Sequence, residues 1–190
     1  DLSHAWMLGD AAHPDHGHTV PDEDMRDSAY SWCKAPRLAG QTVEVGALAR
    51  NIVDGHPLAL ALAQEGSVRA RIAGRLLEIA RTQVLLEDWA QALDTDQRFM
   101  DHGTTPRNGT GVGLVEAARG SLGHWLRIEN GRIANYQIIA PTTWNFSPRD
   151  AQGVPGPVEA ALVGAEVGEG EDTPLSVQHI VRSFDPCMVC

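Results

Sequence analysis

The sequence predicts an α+β fold, mainly helical, in which a helix-bundle core carries a peripheral β-hairpin. Val68, Ile72, Leu76, Ile79, Leu86, Ala90 and Leu93 recur at three- and four-residue steps, the period of one helix face. Trp125, Leu126 and Ile128 run into Asn130-Gly131, the preferred pair for a type I′ turn, and Ile133, Tyr136, Ile138 and Ile139 return from it. Shorter helical stretches from Pro57 to Leu62 and from Val158 to Val163 complete the pattern.

The first 30 residues are rich in His, Asp, Pro and Gly and read as a polar loop. His13, His16 and His18 lie close together there, but their spacing suits no helix face, and Pro14 and Gly17 break any regular element, so they read as surface residues rather than ligands. Cys33 stands alone beside Trp32 and reads as a small buried hydrophobe. Residues 43–93 form the bundle helices. Ser67 caps the long one, whose Arg69, Arg71 and Arg75 fall on the outward surface, while a second apolar set, Leu77, Ala80, Val84 and Leu85, predicts cover on more than one side. Between 101 and 123 six glycines let backbone approach something closely. A phosphate loop is discounted because G-x-x-x-x-G-K-[ST] is absent. Gly164 to Thr173 is an acidic connection.

The chain's 190 residues, 43% hydrophobic and 21% charged, suit one globular domain with a real core. A net charge of −10 argues against nucleic acid, which needs clustered Lys and Arg. No apolar run approaches the roughly 20 residues of a membrane span, and the start lacks the charged and apolar regions of a signal peptide. Three cysteines, two of them in one turn, make no disulfide framework, so a reducing compartment or metal-protected thiolates is the simpler view. The sequence opens on Asp1 rather than Met and ends on a cysteine, as expected of part of a longer polypeptide or one half of a divided one.

Asp185-Pro186-Cys187-Met188-Val189-Cys190 holds the other two cysteines at C-x-x-C spacing, which lets one backbone turn aim two sulfurs at a common point. The apolar Met188 and Val189, and the largely apolar run before them, predict an interior position for these thiolates. On spacing alone the pair fits half a zinc site, a redox motif or an iron–sulfur site. Zinc needs two more ligands, and no second C-x-x-C or H-x-x-x-H exists here.

Asp185-Pro186-Cys187-x-x-Cys190 after Arg182-Ser183-Phe184, Pro141-Thr142-Thr143-Trp144-Asn145 with Ser147-Pro148-Arg149-Asp150, Glu116-Ala117-Ala118-Arg119-Gly120, Gly123-His124-Trp125, and Tyr30-Ser31-Trp32-x-Lys34-Ala35-Pro36-Arg37 occur in that set. Together they resemble the C-terminal part of the large, catalytic subunit of nickel-iron hydrogenases. The match covers nearly the whole chain. It implies that residues 1–190 are the C-terminal part of a single large-subunit domain, with 101–190 carrying active-site loops, hairpin and ligand turn.

The resemblance implies a nickel-iron centre with carbon monoxide and cyanide ligands on iron. Cys187 would be a terminal nickel thiolate and Cys190 a bridging one. Soft sulfur suits such a centre where hard carboxylates would not. Arg119 and Thr142 would donate to the two cyanides, Pro141 and Ala118 would shape the wall, and Asp185 would hold Arg119. The resemblance implies heterolytic splitting of hydrogen with Cys187, Arg119 and Asp185 as catalytic residues. Cys187, as a terminal thiolate, is the candidate base, and Arg119 is the other base the family suggests, though a guanidinium is normally always protonated. A nearby magnesium would take the backbone carbonyl of Ile138.

Three departures from the family pattern matter, one being that members usually continue past the last cysteine to a histidine that binds the magnesium, whereas this sequence stops at Cys190. The family's other C-x-x-C is missing, so a chain or segment carrying that N-terminal half must supply the remaining thiolates. The family also commonly has Pro where Ala118 stands. Electrons would leave through the iron–sulfur clusters of a small subunit, since no cysteines remain here to bind clusters. The location implied is cytoplasmic, or membrane-associated through partners. Alternative readings are a regulatory hydrogen sensor and a structural zinc module. Cys187 and Cys190 argue against a respiratory-complex relative, which shares the fold but has lost the cysteines.

Overall fold

The structure is a computed structural model and describes residues 2–3, 13–16, 30–31, 33–100, 102–150 and 152–187. At the start, β1 (Leu2–Ser3) pairs antiparallel with β2 (Ala35–Pro36). Most of residues 1–30 lies outside the described residues, His18 included. Within it, 13–16 form a turn in which the His16 N–H donates to the His13 carbonyl, and the exposed His13 ring lies 3.2 Å from the Asp15 carboxylate. Cys33 corrects an expectation: it is exposed, because it sits on the bend before β2, where its N–H donates to Ser31 Oγ at 3.1 Å.

Three helices follow, α1 (Ala47–Val53), α2 (Pro57–Ala63) and α3 (Val68–Ala92). Local signals set their starts. Pro57, whose fixed φ suits a first helical position, opens α2, and the Ser67 hydroxyl accepts the Ala70 N–H at 3.2 Å to cap α3. α1 crosses α3 so closely at Gly74 that an added Cβ would lie 2.7 Å from Leu48 Cβ. The buried strip of α3 is therefore Ala70, Arg71 and Gly74. The apolar stripe expected to be core is instead open to solvent, with Leu76 63% and Ile79 65% exposed. Periodicity identifies which face is apolar, but burial requires an element to cover it, and no described residue does so.

The β-hairpin is part of a larger meander of β3 (Gly109–Ala117), β4 (Gly120–Glu129) and β5 (Arg132–Ile139), antiparallel in that order. Its β4–β5 turn is as the sequence predicts. Glu129 pairs with Arg132 across Asn130 and Gly131, whose φ values of +52° and +75° are the left-handed pair that type I′ requires. The glycine-rich stretch, expected to let backbone approach something closely, mostly forms β3 and the start of β4. Glycine weakens a strand without forbidding it, and β3 is an edge that pairs on one side only. Ile139, 3% exposed, packs with Trp125 and Trp144 at the inner end of the sheet.

Three short helices finish the chain, α4 (Pro141–Asn145), α5 (Pro157–Leu162) and α6 (Leu175–Ser183). α5 matches the predicted element at Val158. α4 is a single turn set directly on the end of β5, with Pro141 at its first position and Thr143 Oγ1 accepting the Ala140 N–H at 3.3 Å. No helix among the described residues is long and apolar enough to cross a membrane.

Candidate metal centre

Arg119 owes its position to a tight turn. Ala117 pairs with Gly120, which leaves Ala118 and Arg119 as the two-residue connection between β3 and β4. Such connections favour positive φ at the central residues, yet neither Ala118 nor Arg119 adopts it, and the departure falls on Gly120 at φ +137°. Gly120 also lies against the 44–47 segment, where an added Cβ would come within 2.6 Å of Val45 Cγ2. Asn145 of α4 fixes that segment from the other side. Its Oδ1 accepts the Val45 N–H and its Nδ2 donates to the Val45 carbonyl, both at 2.9 Å.

Asp185 owes its position to the end of α6. Arg75 donates to the Ser183 carbonyl at 2.7 Å, and the Arg71 guanidinium lies 3.7 Å from the centre of the buried Phe184 ring. Arg71 in turn pairs with Glu44 at 2.8 Å. With the last helical turn held in this way, Asp185 adopts φ +52° and its N–H closes on the Arg182 carbonyl at 3.0 Å. This left-handed residue stops the helix and redirects the chain.

The redirected chain meets both halves of the predicted site. The Asp185 carboxylate lies 3.4 Å from Arg119 Nε, and the Cys187 N–H donates to Thr142 Oγ1 at 3.0 Å. Ala118 shares the turn with Arg119, and Pro141 opens the helical turn that presents Thr142. Cys187 is half-buried, whereas Met188, Val189 and Cys190 lie outside the described residues. Gly46, Arg119, Asn145 and Asp185 border a void of about 20 Å³, room for one water. The Ile138 carbonyl accepts from Lys34 Nζ at 3.2 Å, and burial pushes that ammonium below the usual lysine range.

Residues 1–190 match the nickel-dependent hydrogenase family along their whole length. The chain belongs to that family. It is 37% identical to the hydrogenase-2 large chain of Escherichia coli K12 over 98% of its own length, which is 38% of that protein. It is 34% identical to the uptake hydrogenase large subunit of Rhodobacter capsulatus, spanning 39% of that protein. Among solved structures, the [NiFeSe]-hydrogenase of Dm. baculatum superposes with a TM-score of 0.86 at 34% identity, over 98% of this chain and 42% of that one. The [NiFeSe] hydrogenase of D. vulgaris Hildenborough gives 0.82 at 32% identity, over 93% of this chain and 40% of that one. This hydrogenase chain therefore spans about two fifths of the relatives it matches.

The described residues of this hydrogenase chain suit a thiolate-held centre with small anionic ligands. Arg119's terminal nitrogens and the Thr142 hydroxyl proton donate to no described residue, so both side chains retain donors for an anion beside Cys187. Magnesium fits less well. Its one expected protein oxygen here, the Ile138 carbonyl, already faces the Lys34 ammonium, and no group of three or more His, Cys, Asp or Glu suited to a metal exists among the described residues.

Several contributors carry no local signal. Arg71, expected on the outward surface, is buried and reaches Glu44 and Ser183, 27 and 112 positions away. Arg37 is buried too, and holds Asp150 at 2.9 Å and the Val154 carbonyl at 2.9 Å. Arg50 binds acids from two elements beside the Arg119 turn. An arginine near the end of a seven-residue helix announces none of this.

Proposed function

We propose that residues 1–190 are the C-terminal part of a nickel-iron hydrogenase large-subunit domain, and that they take part in reversible, heterolytic oxidation of molecular hydrogen. The observation that carries this reading is the junction just described, where the Cys187 amide meets Thr142 while Asp185 meets Arg119. Two further thiolates come from a segment carrying the other C-x-x-C, and an iron–sulfur small subunit takes the electrons.

Cys187 and Cys190 would hold the metal through their thiolates. The bound nickel-iron centre, with carbon monoxide and cyanide on iron, supplies the cleavage of hydrogen. Cys187 Sγ would be the base that holds the released proton, a thiolate being the most basic side-chain group proposed as a ligand here. Arg119 would donate to one cyanide from its terminal nitrogens. Its Nε faces Asp185, which fixes the plane of the guanidinium. Thr142 Oγ1 accepts the Cys187 amide and would donate its own proton to the second cyanide. Pro141 and Ala118 would wall the centre with side chains that offer no proton.

Elemental analysis of the anaerobically purified complex, paired with hydrogen-dependent reduction of a viologen dye, tests this proposal. Nickel and iron with dye reduction, and loss of both nickel and reduction in Cys187→Ser, are expected. Zinc in place of nickel, with no dye reduction, would assign the chain to a structural zinc module.

A further inference from the structure

The turn that carries Arg119 has an outside support. Arg50, near the end of α1, donates from Nη1 to the Ala117 carbonyl at 2.8 Å and from Nη2 to the Ala118 carbonyl at 3.0 Å. The same guanidinium takes Glu116 of β3 at 2.9 Å and is gripped through Nε and Nη2 by both oxygens of Glu78 of α3, at 2.7 and 2.6 Å. The planar fork of an arginine can meet two carboxylates and two carbonyls at once, which a lysine cannot. The contacts fall on the residues just before Arg119, in a connection that lacks the φ values which would make it self-supporting. We propose that Arg50 is a positioning residue for Arg119: by anchoring the Ala117 and Ala118 carbonyls to α1 and α3, it sets where the Arg119 guanidinium stands over the metal ligands. This rests on the proposed hydrogenase reading.

The control is Arg81, which also braces α3 to α1, donating to Asn51 Oδ1 at 2.6 Å and pairing with Asp54, without touching the turn. In the purified large–small subunit complex, Arg50→Gln is expected to lower kcat for hydrogen oxidation by about 100-fold. Nickel and iron content stay at the wild-type level. The cyanide stretching bands shift in the same direction as in Arg119→Lys, and amide exchange at residues 118–120 speeds up. Arg81→Gln should leave kcat, bands and exchange at 118–120 unchanged. If Arg50→Gln fails to assemble, Arg50→Lys carries the test, with smaller changes of the same kind.

Assembled Arg50 variants whose cyanide bands and 118–120 exchange match wild type, or change no more than in Arg81→Gln, would overturn the proposal. A wild-type complex with no cyanide bands contradicts the hydrogenase reading instead. In that case exchange at 118–120 still decides whether Arg50 holds the turn, and unchanged exchange refutes it.

Discussion

The side-chain oxygen of Thr142 accepts the main-chain N–H of Cys187 at 3.0 Å, joining residues 45 positions apart. This one bond seats the chain at Cys187 on the first turn of α4. Thr142→Val keeps the shape but removes the oxygen that accepts the half-buried Cys187 amide, at a cost of about 1 kcal/mol. Exchange of the Cys187 amide should rise several-fold in Thr142→Val. Thr142→Ser should keep it near wild type.

Asp185 has two separable roles. Its φ of +52° ends α6, and its carboxylate faces Arg119. Asp185→Gly relieves the Cβ crowding of about 1–2 kcal/mol that a left-handed residue meets, Asp185→Asn keeps a short polar side chain that tolerates this region, and Asp185→Ala keeps the crowding without that polar group. Thermal unfolding should rank Gly and Asn above Ala. All three should lose hydrogen oxidation together, since none retains the charge that orients Arg119. Full activity in Asp185→Asn would show that the charge is not needed.

Arg37 and Asp150 form a buried ion pair at 2.9 Å that ties β2 to the loop after α4. Burial alone pushes the Asp150 carboxyl up. The Val154 and Gln152 N–H groups and the Arg37 guanidinium outweigh it and hold the carboxyl below its ordinary range. A depressed folded value means that this stabilisation is complete above the ordinary aspartate pKa of about 4 and is lost as pH falls through the folded value. Asp150→Asn removes the charge that faces the guanidinium and should destabilise the fold near neutral pH. In denaturant titrations the gap between variant and wild type should narrow below about pH 4.

Gly120 combines φ +137° with a backbone pressed on Val45. Gly120→Ala should destabilise by about 1–3 kcal/mol through overpacking. Combining it with Val45→Ala should recover part of the loss, a positive coupling in a double-mutant cycle. Strict additivity would mean that strain at φ, rather than contact with Val45, dominates.

Features whose cause is local were legible in the sequence. Ser67, Pro57 and Asn130-Gly131 each act on their nearest neighbours, and the cap, the helix start and the turn all stand where those residues place them. β3 was hidden because Gly109, Gly111 and Gly113 remove the side chains from which a strand is recognised. α4 is one turn long, too short for a period to show. The open face of α3 could be identified as apolar, but not as uncovered. At the site, Arg119, Thr142, Asp185 and Cys187 were named through a resemblance, and the fold brings them together. Arg50 and Arg71 were missed because their partners are brought to them only by the folded chain.

Infrared spectroscopy of the anaerobically purified complex tests the central claim most directly, because metal-bound carbon monoxide and cyanide absorb where protein is nearly silent. Bands from both ligands are expected with the wild-type chain, and their loss is expected in Cys190→Ser. An intact complex without these bands, or a Cys190→Ser complex with unchanged bands, would contradict the assignment of this cysteine pair to a nickel-iron centre.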